Sequence, residues 1–203
     1  MTVGELIAAV RRYLREPSAD EWTDAGLVEY MNWAQRELGP ELHIRGYGTI
    51  ATNTTNQSYP LSGLTGLLEI VAVDLDGTPL SPVPIDSTSK GYWRWRDATG
   101  TADHIWLWAK PSAAGTLKIW YWKAASDLSA SNLSATPDFD SRWHHILVPF
   151  AAAHAYFEAN SFEAGDGYMN MFNNIRREMA AAWLMEFGGA PHKIQAQSSW
   201  TVN

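Results

Sequence analysis

Three histidines come nearest to a metal-ligating set: His144 and His145 side by side, and His154 ten residues on. Ten residues of regular helix is about 2.8 turns, so His144 and His154 fall on unlike faces. Pro149 between them should kink or break the helix. No carboxylate stands at zincin spacing from the pair. The histidines are therefore expected as hydrogen-bonded or interfacial groups, and no metal is expected. Paired carboxylates beside aromatics would suit glycoside hydrolysis. Asp97, Asp103, Asp138 and Asp140 lie near tryptophans in the sequence, but at loop and cap positions, where Asp usually accepts backbone hydrogen bonds. Trp93, Trp95, Trp106 and Trp108 could instead stack on sugars in a non-catalytic carbohydrate-binding module, which is the alternative reading of the chain. Tyr92-Trp93-Arg94-Trp95-Arg96 has a composition that can stack on single-stranded bases, but one such run in an acidic protein is a weak signal, and arginines packed over tryptophan faces explain it better. No G-x-S-x-G and no GxxxxGK[ST] occurs. No catalytic residue and no cofactor is expected.

The totals narrow the class further. The chain has 203 residues, 46% hydrophobic and 18% charged, the composition of a globular protein of one domain or two small ones. It has no cysteine, so disulfides and thiolate metal sites are excluded, which suits a reducing compartment. The start, MTVGELIAAVRRYL, is not expected to be a signal peptide, and no apolar run reaches the roughly 20 residues of a membrane span. A net charge of -7 argues against a surface that wraps DNA. Eleven tryptophans are the outlier, fitting aromatic stacking or large buried interfaces.

Four helices are predicted. Thr2 and Glu5 have capping-box spacing ahead of Leu6, Ile7, Val10, Tyr13 and Leu14, with Arg11, Arg12 and Arg15 expected exposed. In Trp22–Leu38, Leu27, Tyr30, Met31, Ala34 and Leu38 form one stripe behind a Thr23 cap, and Gly39-Pro40 stops the helix. Glu29, Asn32, Gln35 and Arg36 lie off that stripe, facing water or a neighbour. The short turn between the two should make them antiparallel. A third helix is expected from Asp140 to about Phe162, and a fourth capped by Asp166 and ended by Gly188-Gly189.

Between the helix pairs the punctuation is that of strands. These are expected near Gly48–Thr52, Ser58–Leu61, Leu67–Leu75, Thr78–Val83, His104–Ala109 and Thr116–Lys123, with a hairpin turn at Asp76-Gly77. Ile105, Leu107 and Ala109 should alternate with Trp106 and Trp108, and Leu117, Ile119 and Tyr121 with Lys118, Trp120 and Trp122. Strands so apolar should be covered on both faces. The expected fold is α+β: an antiparallel four-helix core of two N-terminal and two C-terminal helices, an inserted antiparallel β domain and an extended C-terminal tail. The divisions fall at 1–43, 44–125, 126–189 and 190–203, with Ser126–Thr136 as linker. Leu27, Met31, Ala34, Leu147, Phe172 and Trp183 should be buried together.

Several stretches, taken in order, carry a family resemblance: GELIAAVRRYLRE, EWTDAGLVEYMNWAQREL, IWLWAKPSAAGTLKIWYWKAASDL and PDFDSRWHHILVPFAAAHAYF. The chain resembles the head–tail adaptor (connector, head-completion) proteins of tailed bacteriophages. The resemblance implies a helical core with an inserted β domain, a dodecameric ring beneath the portal protein, and a lumen that extends the DNA channel. It also implies docking of further neck or tail proteins, and no catalytic residues to carry over. Such a protein would reside in the virion neck, and in the host cytoplasm during assembly. Negative charge would let DNA slide through the lumen without sequence-specific binding. Lateral contacts between subunits are expected from Arg11, Arg12, Arg15 and Arg36, and docking on the portal or an adjacent subunit from Lys193, Ile194 and Trp200 of the tail.

Overall fold

A computed structural model describes residues 1–16, 21–84, 91–96 and 103–187. They form two compact units. One comprises Met1–Ile44 with the described residues from Ala124 onward; the other is Arg45–Lys123.

The first unit is helical. Helix α1, Val3–Leu14, begins with the expected capping box: the Glu5 amide donates to Thr2 Oγ1 at 3.2 Å, and the Thr2 amide donates to Glu5 Oε2 at 2.8 Å. Helix α2, Asp24–Leu38, starts where the Thr23 hydroxyl accepts from the Gly26 amide, and passes at Gly39 into a short 3-10 turn. Helix α3, Leu147–Glu158, and helix α4, Phe162–Phe187, complete the set. α3 is apolar on every side and packs against all three other helices. Leu6, Val10, Leu27, Met31, Ala34, Leu147 and Phe172 lie in one core around it.

Several expectations are corrected here. The third helix does not run unbroken from Asp140. Asp140 caps a 3-10 helix, Ser141–Ile146, and α3 starts only at Leu147. Pro149 therefore falls in the first turn of α3, where its missing amide hydrogen has no partner to lose, and it breaks nothing. Asp166 caps no helix, because α4 already begins at Phe162. The turn between α3 and α4 is tight: Asn160 has φ +58°, and a side chain at Gly165 would strike the Phe157 ring. Trp183 is not in the core; it is half-buried and stacks on His43 with ring centroids 3.8 Å apart.

The stretch read as a linker is a docked strap. The Val3 and Gly4 amides donate to the carbonyls of Ala135 and Leu133. Asn32, expected at the surface, is buried and brackets Leu128: its Nδ2 donates to the Leu128 carbonyl at 3.0 Å and its Oδ1 accepts from the Leu128 amide at 2.8 Å. Gln35, also buried, donates to Asn32 Oδ1 and to the Ser126 carbonyl.

The second unit consists of two antiparallel sheets. One has the order β1-β7-β3-β4, from Arg45–Thr52, Gly115–Lys123, Leu67–Leu75 and Thr78–Leu80; the other has the order β2-β6-β5, from Ser58–Pro60, Asp103–Leu107 and Tyr92–Arg96. Strand β5 was read only as an aromatic–cation run, and Ala109 lies beyond the end of β6. Leu117, Ile119, Ile70 and Val73 of one sheet share a core with Tyr59, Ile105 and Leu107 of the other. Asp76 (φ +50°) and Gly77 (φ +87°) make the expected hairpin turn, and Asp76 Oδ1 accepts from the Thr116 amide. The alternation in β7 holds, and its outer face is unevenly covered among the described residues: Trp122 is buried, whereas Trp120 is 40% exposed and its cross-strand neighbour Tyr47 is 55% exposed.

Replacing fully buried Leu27 by Ala should cost about 2–5 kcal/mol. Arg36 makes a two-pronged pair with Asp127 at 3.0 Å, but both side chains are mostly exposed. Arg36→Ala should therefore change stability by less than roughly 0.5 kcal/mol in a monomeric sample. Chemical denaturation of the two variants checks this; equal losses would refute the assigned core.

Candidate docking surfaces

The four arginines expected at lateral contacts have different surroundings. Arg11 is not on the solvated face. It is buried, pairing with Glu16 at 3.2 Å and Asp24 at 2.6 Å and donating to the Trp22 carbonyl at 2.9 Å. It thus ties the end of α1 to the start of α2. Arg12 and Arg15 are exposed and make no ion pair among the described residues. They border a shallow groove of about 800 Å³ along α1, together with Met1, Glu5 and Ala8. Arg36 is exposed and holds Asp127 of its own chain. Lys193, Ile194 and Trp200 lie outside the described residues, as does Asp97.

The histidines do not converge. His144 is buried, with Nδ1 2.9 Å from the Met1 amine and 3.1 Å from the Met1 carbonyl, and with Nε2 donating to the Phe139 carbonyl at 2.9 Å. His145 is exposed. His154 is packed among the rings of Phe150, Tyr30, Trp33 and Phe157. Among the described residues no group of three or more His, Asp or Glu is placed to hold a metal ion. The carboxylates near tryptophans have structural partners. Arg94 Nε donates to both oxygens of Asp103 at 3.0 and 2.9 Å, and its Nη1 reaches the Leu68 carbonyl on the other sheet. Asp138 accepts from Ser126, and Arg142 donates to Asp140, holding that carboxyl below its usual range.

Two aromatic surfaces are assembled, the first from the four tryptophans named for sugar stacking and the second without a signal in the sequence. On the outer face of the three-stranded sheet, Trp93 stacks on Trp106 at 5.7 Å and 17°, Trp108 adjoins them, and Trp95 lies beside His104. Cross-strand pairing of Trp93 with Trp106 and Trp95 with His104 puts all of them on one side. The other surface is a cleft of about 510 Å³ lined by Glu21, Trp22, Glu29, Tyr30, Trp33 and Glu158, among others. Among the described residues no lysine or arginine lines it. The Tyr30 hydroxyl donates to Glu158. Burial first, then the Glu158 bond and the charges of Glu158 and Glu29, push the Tyr30 phenol up to about 12.

A family model described as SU10 adaptor protein matches residues 1–199. No curated protein matches the chain.

Two outcomes follow. Arg11→Ala removes the cation from nearly buried Glu16, which keeps the Glu21 and Trp22 amides, and should cost about 1.5–3 kcal/mol, whereas Arg12→Ala should be near neutral; thermal or urea unfolding separates them. The second concerns pH. Burial lowers the pKa of His154 below its ordinary 6.5. The unfolded chain therefore takes up that proton first, so stability is intact above about pH 6.5 and declines as pH falls from there toward the folded value. In His154→Phe the decline between pH 7 and 5 should be shallower; an unchanged slope would refute the linkage.

Proposed function

Because the chain belongs to the SU10 adaptor protein family, a family of phage head–tail adaptors, we propose that it forms a ring beneath the portal, extends the DNA channel and docks the next neck or tail component. The observation that carries this reading is the family match over nearly the whole chain. In the finer reading the subunits form a dodecamer matched to the portal, and DNA passes the lumen without sequence-specific contact. Assembly takes place in the host cytoplasm and ends in the virion neck. The chain divides into a helical core from both ends of the sequence, the β domain inserted in it, and a tail from residue 190. The helices form an antiparallel four-helix core.

Physical features support assembly. Trp95, Trp120 and Tyr47 are large apolar groups exposed on the outer faces of the sheets, and exposed aromatics of this kind mark protein contacts. The mutual stacking of Trp93 on Trp106 spends ring faces that a sugar would need, which favours a protein contact over the carbohydrate-binding reading. Lateral contacts fall to Arg12, Arg15 and Arg36, which remain exposed. Arg11 is engaged within its own chain. Lys193, Ile194 and Trp200 dock the tail on the portal or an adjacent subunit, with Trp200 as the aromatic anchor. Such anchors contribute roughly 2 kcal/mol or more each.

Negative-stain imaging of the purified protein with a candidate portal should show rings seated on it. Truncation after Gly189, or Trp200→Ala, should weaken portal binding by about thirtyfold or more, the equivalent of that anchor energy. Unchanged affinity in both folded variants, with heads that keep their DNA, would show the tail to be idle. No ring on the portal would refute the adaptor reading.

A further inference from the structure

The acidic–aromatic cleft and the arginine face of α1 are complementary in charge and are separate patches of one helical unit, the first lined by α2 and the end of α3, the second carried by α1. On α1 the outward charge is cationic. Glu5 is committed to the capping box and Glu16 to Arg11, while Arg12 and Arg15 make no ion pair among the described residues. Ala8, one turn before Arg12, is exposed and small, which leaves the approach to that face open.

At the cleft the situation is reversed. Glu21 and Glu29 make no ion pair among the described residues, and Glu158 is bonded only by the neutral hydroxyl of Tyr30. The walls are the rings of Tyr30 and Trp33, edge to face at 5.3 Å, with Trp33 39% exposed. A planar guanidinium is the group such a site suits. It donates to carboxylates in pairs, stacks on aromatic faces, and sheds water more easily than an ammonium.

We propose that this cleft, built around Glu29, Glu158, Tyr30 and Trp33, receives Arg12 and Arg15 from α1 of a second copy of this chain. The inference deepens the ring reading above and rests on its self-assembly. One patch meeting a different patch is a heterologous contact, which can propagate from copy to copy and close as a ring. The contact draws on charge at a partly exposed rim, so it should weaken as salt rises.

The test uses the full chain and two neutralised variants, Arg12→Gln/Arg15→Gln and Glu29→Gln/Glu158→Gln. All four positions are exposed, so both variants should fold, with thermal unfolding close to that of the wild type. Sedimentation velocity at low salt should show wild-type oligomers. Each variant alone should have its apparent dissociation constant raised about tenfold or more. Mixing the two is the discriminating measurement. The first variant retains an intact cleft and the second an intact arginine face, so the mixture should form dimers and stop there. Oligomers that survive in both variants would overturn the pairing, as would a mixture that assembles no further than either variant alone. A wild type that stays monomeric at its highest soluble concentration would overturn it too. The ring itself is decided separately, by imaging on the portal.

Discussion

A helix without a polar side cannot lie on a surface, and α3 is such a helix. Leu147, Val148, Phe150, Ala151, Ala152, Ala153 and Ala155 are all buried. It must be enclosed, and the order of the chain follows from that need. α1 and α2 come from the start of the sequence, α4 follows α3 after a tight turn, and all three pack on it. Alanines on α3 allow close approach, while Phe150 meets Phe172 of α4 edge to face at 4.9 Å. The strap from Ala124 to Asp140 lies over the outside of α1 and α2. Its backbone is irregular, so its buried polar groups need partners from elsewhere. Asn32 and Gln35 supply them, which is why two amides stand in an otherwise apolar interior.

The β unit solves a different problem. Its two sheets share one core, and that uses only one face of each. Gly46 and Gly48 lie on the inner side of β1, where a side chain would meet Tyr121 and Leu64 respectively. Removing side chains there leaves room for the Tyr121 ring of the neighbouring strand and for Leu64 of the loop between β2 and β3. Arg94 then joins the sheets by a polar route, donating to Asp103 beside it and to the Leu68 carbonyl of the other sheet. What remains is the outer faces, and there the tryptophans accumulate. Among the described residues Trp95 and Trp120 stay exposed on these faces, while Trp122 is buried.

Much of this was legible in the sequence, wherever the determinant is local. The Thr2–Glu5 box, the Thr23 cap, the Asp76-Gly77 turn and the alternation of β7 depend on residues within a few positions of one another. What was not legible depends on distant partners. Asn32 and Gln35 look like surface amides until the strap, about ninety residues on, is laid over them. Arg11 reads as one of three equivalent arginines, and only the path of the chain through Glu16 and Asp24 sets it apart. Pro149 was read as a break because the helix was started at Asp140, when a 3-10 turn had moved the true start to Leu147. β5 was hidden because its inward Arg94 spoils the apolar alternation that marks a strand. For the candidate surfaces, residue type was legible and pairing was not. Arg12 and Arg15 could be picked out, whereas the cleft joins α2 to the end of α3 and has no sequence signature.

These features place folding and assembly on different residues. The core of the helical unit is complete within one chain, since Leu6, Leu27, Met31, Leu147 and Phe172 are all shielded without a neighbour. Obligate interfaces resemble a hydrophobic core cut in half, and among the described residues the apolar groups left exposed on α4 are Phe162, Met171, Leu184 and Met185. The helical unit also exposes charge at Arg12, Arg15, Glu29 and Glu158, with aromatic rings beside the acids. Such contacts set specificity and encounter rate more than they set folding stability. In the proposed contact between copies, neutralising these exposed charges would weaken association and leave the fold intact, whereas core substitutions would cost stability without altering the charged surfaces.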